Sequence, residues 1–259
     1  MTDILPQLIV GIFISAAASL LGVFAILKRM SLVGDALSHV ALPGIALAIF
    51  FKVNPFLGAL AFLFLSAFGI WALEYRTKLS VETIVGVFFT ASLAVGALLI
   101  PQLELLEALF GDIAKLSFND VLVSVGLSAI LIAVLLAVHK KLALHMVSHE
   151  LSSSIGIRSK QLELIYLLLF ALGVALGIKF IGALLMGALI IIPAAAAKNV
   201  SKSLNEFMFL SVLFGVSSAV LGVYLSSLYN QAPGPIFILV GTGIFILSFV
   251  WRALIGRQR

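Results

Sequence analysis

Apolar runs long enough to cross a bilayer recur along this chain, and that recurrence constrains the fold more than any motif does. A spanning helix needs ~20 mostly apolar residues. Such runs occupy residues 5–27, 33–51, 55–73, 82–100, 120–138, 161–178, 180–197, 207–228 and 234–251. Only Lys179 divides the sixth from the seventh, so those two are either separate spans or a re-entrant hairpin. Only 10% of the 259 residues are charged, against about a quarter in a soluble domain, so the chain has too few polar groups to clothe a water-facing surface. The expected class is an all-α polytopic membrane protein with eight to nine transmembrane helices, residues 1–259 forming one transmembrane domain.

Loop charge sets the orientation. With the N-terminus outside, every basic residue but Lys52, Lys115 and Lys179 falls in an inner loop. Cytoplasmic loops keep the positive charge, so the expected topology is N-out, C-in. The net charge of +5 then reflects this sidedness and not a nucleic-acid partner. The N-terminal MTDILPQL lacks the basic start of a cleavable signal, and the apolar run after it is too long for one. The first run is therefore expected to be retained as a helix. Cysteine is absent, which excludes disulfides and thiolate ligands.

The second run, SLVGDALSHVALPGIALAIFF (31–51), is the one that carries costly residues. Asp35 and His39 stand four residues apart, which on a helix places them on one face. A carboxylate and an imidazole converging there make half a site for a borderline divalent metal. Counting ~1.5 Å per residue from Lys28 and Arg29 puts Asp35 ~10 Å and His39 ~16 Å into the membrane. An ionised Asp at that depth costs ~2.5–3.5 kcal/mol on insertion scales, and such groups generally face a pathway or a partner. Pro43-Gly44 is expected to break the helix just beyond the pair, as is tolerated where backbone lines a cavity. The competing reading is that Asp35 and His39 only hydrogen-bond each other or a neighbouring helix. Two ligands fall short of a closed structural site, which suits an ion that must leave again. Only a neutral imidazole ligates, so acidification is expected to diminish transport.

Two connections are long. The outer one, 101–120, spaces Leu103, Leu106, Phe110 and Ile113 like an interfacial helix. Its Glu104, Glu107 and Asp112 would bias the outer mouth toward cations. A plain solvated connector fits as well. The inner one, 139–161, is the longest polar stretch, and its His145 and His149 read best as two solvated histidines. Ala183 and Gly187 form a small-xxx-small pair suited to close helix packing. No P-loop and no HExxH is present, so ATP hydrolysis and zinc proteolysis by these motifs are excluded. The pairs Gly34-Asp35 and Gly111-Asp112 raise an intramembrane aspartyl protease as a distant alternative. The topology sets its two carboxylates on opposite sides.

RMSLVGDALSHVALPGIALA (29–48) resembles the signature of the permease subunits of metal-ion ABC importers, the zinc, manganese and iron uptake family. PQLELLEALFGDI is similar to that family's outer loop, IGALLMGALIIIPAAAA to its Pro-Ala-Ala segment, and APGP (232–235) to its last outer turn. Length and outer loop look most like the zinc-uptake members, whereas Leu-Pro-Gly at 42–44 is also common in manganese permeases.

The resemblance implies a type II ABC importer-like permease, multi-pass in the bacterial plasma or inner membrane. It implies a pore formed with a second permease copy as a homodimer, two cytoplasmic ATP-binding subunits, and a metal-binding protein docking from the extracellular or periplasmic side. Zn2+ or Mn2+ would be cargo, with no permanently bound cofactor. Asp35 and His39 match the family's ion ligands. SHELSSSIGI (148–157) resembles its ATPase-coupling helix, so Ser148, Glu150, Ser152 and Gly156 would meet the ATPase, Ser152 standing where the family usually has alanine. The outer segment would act as a gate. An ion-coupled secondary transporter using the same pair without ATP remains the alternative.

Overall fold

The computed structural model describes residues 4–77, 79–99, 109, 117–147, 152, 156, 159–229 and 231–256. Every regular element among them is an α-helix: α1 (Ile4–Leu27), α2 (Val33–Val40), α3 (Leu42–Phe50), α4 (Pro55–Arg76), α5 (Val81–Leu99), α6 (Phe118–Val147), α7 (Ser159–Ile181), α8 (Met186–Val200), α9 (Leu204–Tyr229) and α10 (Pro233–Gly256). Eight stretches are long and apolar enough to span a membrane, with α2 and α3 together making one of them. α8, apolar but only 15 residues long, falls short of that length.

Side-chain contacts fix which helix ends share a side. Lys28 after α1, Trp71 and Tyr75 near the end of α4, and His145 near the end of α6 all meet the start of α7. At the other end, Lys179 of α7 bonds Asp120 at the start of α6 at 2.5 Å, and its ammonium lies 5.5 Å from the Phe56 ring at the start of α4. Phe180 packs edge-on against Phe237 at the start of α10. These pairings reproduce the inner and outer ends assigned from loop charge.

The bundle has an inner and an outer ring. In α1 and α7 the most apolar stretches are 72% and 78% buried, whereas that of α6, the most apolar stretch among the spans, is 22% buried. α1 lies against α6, α7, α8 and α9, and α7 adds α4. Phe24, Tyr166 and Phe170 form a fully buried ladder of edge-on rings between the two central helices.

Four details depart from the sequence expectation. The sixth run does not end at Lys179: α7 continues to Ile181 and stops at Gly182, whose φ of +86° only glycine adopts without strain. α8 follows after a turn and, at 15 residues or ~22 Å, is shorter than the ~30 Å hydrocarbon core. α6 is longer than its span, running on through residues 139–147 assigned to the inner loop. At ~45 Å it is longer than the ~30 Å hydrocarbon core.

The fourth is the position of the break beyond Asp35 and His39, expected at Pro43-Gly44 and found two residues earlier. The junction falls at Ala41, which keeps helical φ and ψ of −69° and −23°, and Ile45 N–H still donates to its carbonyl at 3.0 Å. Pro43 sits in the first turn of α3, where its missing N–H has no partner to lose. Gly44 instead lets α3 meet α4, since a Cβ there would lie 2.3 Å from the Gly58 carbonyl oxygen.

Candidate metal-ion site

The site begins with the turn that ends α1. Arg29 adopts φ +61°, its N–H donates to Ile26 O at 3.1 Å, and Met30 N–H donates to Ala25 O at 2.8 Å. This is the Schellman pattern, here with arginine at the left-handed position that usually holds glycine. It reverses the chain into α2, which packs against α5, α7 and α8.

Asp35 lies in the first turn of α2 with its side chain exposed, and His39, half-buried, one turn further on. The imidazole Nδ1 is 3.0 Å from the Asp35 backbone oxygen, which also accepts the Ser38 hydroxyl at 2.6 Å. A carbonyl oxygen can only accept, so Nδ1 carries the hydrogen and Nε2 keeps its lone pair for a ligand. Phe89 of α5 meets the ring edge-on at 5.4 Å between centroids. The pair therefore interacts through backbone and ring, leaving the Asp35 carboxylate facing a cavity of about 440 Å³ lined also by Arg29, Ser31, Glu82 and Phe89. Because Arg29 and Glu82 stand at inner helix ends, the cavity opens on the inner side.

Gly187 is what seats Asp35. A Cβ at position 187 would fall 2.7 Å from the Asp35 Cβ and 2.8 Å from its Cα. The small residues of 181–197, read from the sequence as packing, thus include the position against which the candidate ligand rests. Among the described residues, no three of His, Cys, Asp and Glu gather closely enough to hold a metal ion.

Of the other expected site residues, Glu104, Glu107, Asp112, Ser148, Glu150 and His149 lie outside the described residues. The outer segment is represented by Leu109, whose carbonyl accepts the Leu184 N–H at 3.0 Å in the α7–α8 turn. Gly156 is exposed with φ +75°. Ser152 is fully buried, its hydroxyl 3.2 Å from His145 Nδ1 and 3.3 Å from Ser159 Oγ, contacts an alanine could not make. His145 is itself buried, against the expectation of a solvated histidine, because the overlong α6 turns it toward α7.

Glu163, Lys28, Ser38, Glu82 and Phe89 were missed by sequence reasoning. Glu163 had a signal, a lone carboxylate entering the run LELIYLLLF. Burial draws the Lys28 ammonium pKa below the ordinary lysine value, while the Glu74 and Glu82 carboxylates oppose that shift.

Similarity to known proteins covers nearly the whole chain. The ABC 3 transport family matches residues 2–252. The high-affinity zinc uptake system membrane protein ZnuB of Haemophilus influenzae is 33% identical over 253 residues, spanning 95% of this chain and 97% of that protein. The manganese transport system membrane protein MntC of Listeria monocytogenes is 30% identical over 248 residues, 94% of this chain and 89% of its own length. Among solved structures, PsaBC from Streptococcus pneumoniae in complex with Fab matches with a TM-score of 0.84 and 30% identity, covering 95% of this chain and 90% of that one.

Proposed function

From the premise that this chain belongs to the ABC 3 transport family, we propose that it carries divalent transition metal ions inward across a bacterial membrane along a path through Asp35 and His39. Zinc is the first-choice cargo and manganese or iron the next, since relatives named for zinc and for manganese uptake match at 33% and 30% identity. It is a transport subunit and not an enzyme. ATP is hydrolysed by separate cytoplasmic subunits, and a metal-binding protein delivers the ion from outside.

One observation carries the ion path: a carboxylate open to an inner cavity and an imidazole with Nε2 left to ligate, on one helix face within the membrane. Two donors per chain are too few for firm tetrahedral binding. A homodimer would bring two such pairs to one pore and so complete a transient site. Isothermal titration of Zn2+ and Mn2+ into the chain in nanodiscs tests this. Asp35→Asn and His39→Ala are each expected to weaken binding about tenfold or more. Undiminished affinity in both variants would make the pair structural and remove it from the path.

A further inference from the structure

An aromatic ladder runs along α4 to its inner end, beside the start of α7. Phe64, Phe68, Trp71 and Tyr75 recur at the three- and four-residue spacing that aligns one helix face. The Phe68 and Trp71 rings lie 5.5 Å apart between centroids, and Trp71 and Tyr75 5.7 Å. Phe68 is 52% exposed, and Phe64, one turn deeper, 36%. At ~1.5 Å per residue Phe68 lies ~10 Å further into the membrane than Tyr75.

Polar bonds fix the inner end of this ladder. The Trp71 indole N–H donates to the Lys160 carbonyl at 2.9 Å, and the Tyr75 hydroxyl donates to Glu163 at 2.9 Å. Lys160, the second residue of α7, thereby comes over the ladder, its ammonium 4.7 Å from the centre of the Tyr75 ring. An ammonium on a ring face keeps N–H donors for an anion. Lys160 and Arg76, which follows Tyr75 in α4, are both exposed. Neither pairs with a carboxylate among the described residues. The Glu74 and Glu163 carboxylates, on the same two helices, exert their attraction on the largely buried Lys28.

A positioned cation thus stands at headgroup level, with an exposed apolar strip leading from it into the hydrocarbon. That is the complement of an amphiphile with a negative head. Aromatic rings favour the membrane interface, and basic groups on the cytoplasmic side attract anionic lipids.

We propose that the inner ends of α4 and α7 bind one anionic phospholipid of the cytoplasmic leaflet. Its phosphate is taken by Lys160 with Arg76, and an acyl chain lies along Trp71, Phe68 and Phe64. The site shares no residue with the Asp35 cavity, so it stands or falls separately from the ion path.

Trp71 is the reporter, because Trp251→Phe leaves it as the only tryptophan. The full chain with that substitution is placed in phosphatidylcholine bilayers. Quenching of Trp71 is then measured with brominated phosphatidylglycerol or brominated phosphatidylcholine at equal mole fraction. With the site, the anionic lipid is enriched about fivefold beside Trp71 over its bulk share. Lys160→Gln together with Arg76→Gln brings it to parity, while size exclusion shows the chain still folded. Equal quenching by both lipids in the parent chain, or an undiminished preference in the double variant, overturns the site. Should the double variant not fold, about 1 M NaCl replaces it, since salt then confines charge interactions to ~3 Å. An abolished preference supports the site, and an unchanged one overturns it. The rival occupant is an ATP-binding subunit. Loss of the preference when such subunits are bound to the parent chain gives the face to them and overturns the lipid site.

Discussion

Gly187 of α8 lies directly against the backbone of Asp35, with space for a hydrogen and none for a methyl group. The candidate ligand is thus positioned by a glycine 152 residues further along the chain. Gly187→Ala is expected to displace the start of α2 and weaken Zn2+ binding about tenfold, while the chain still elutes as a folded species on size exclusion. Calorimetric titration beside the unsubstituted chain checks this. Unchanged affinity would show that α2 is held from its other neighbours.

Lys28 and Glu163 are expected to be far more interdependent than their distance in sequence implies. Removing one partner leaves the other charged and buried, at a cost of about 3–5 kcal/mol. Lys28→Met and Glu163→Met should each lower thermal stability in nanodiscs markedly. The double substitution should recover most of the loss, since replacing a whole buried pair by apolar side chains is close to neutral. Additive losses would show that the two groups do not interact.

At the α3–α4 turn, Lys52 adopts φ +55° with the same Schellman bonds as Arg29: its N–H to Ile49 O at 3.0 Å and Val53 N–H to Ala48 O at 2.8 Å. An L residue in that region costs roughly 1–2 kcal/mol. Lys52→Gly should therefore stabilise the fold by about 1 kcal/mol, read as a rise in melting temperature. Lys52→Ala, still strained, should give no such gain.

Gly44 and Gly58 bring α3 and α4 into backbone contact, each Cβ position lying 2.3 Å from the other's carbonyl oxygen. Gly58→Ala should force the helices apart at a cost of about 1–3 kcal/mol. Gly126→Ala is the control: nothing lies within 4 Å of its Cβ position. Its helix propensity rises by about 1 kcal/mol, so stability should hold or increase. Equal destabilisation by the two would remove the packing argument.

The spans were legible because hydropathy answers directly to the bilayer. Which of them are central was not, because a protein interior and lipid tails are equally apolar: α6 holds the most apolar stretch and is among the least buried. Asp35 and His39 stood out by their cost in a membrane, but their seat did not, since Gly187 reads as ordinary small-residue packing. Glu163 escaped notice because its partners come from 135 and 88 residues away. The interruption beyond His39 was legible in Pro43, and its position two residues earlier follows because proline ends a helix ahead of itself and opens the next one.

The centrality of α1 also bears on how the protein is made. Among the largest of its contacts is that with α9, where Ser211 donates to the Ser19 carbonyl at 2.8 Å. α1 therefore lacks this contact until α9 (Leu204–Tyr229) has been synthesised. Until then its buried serines face hydrocarbon. Chains truncated before residue 204 should be inserted yet leave the α9-facing side of α1 uncovered, and quality-control proteases should find them by that side.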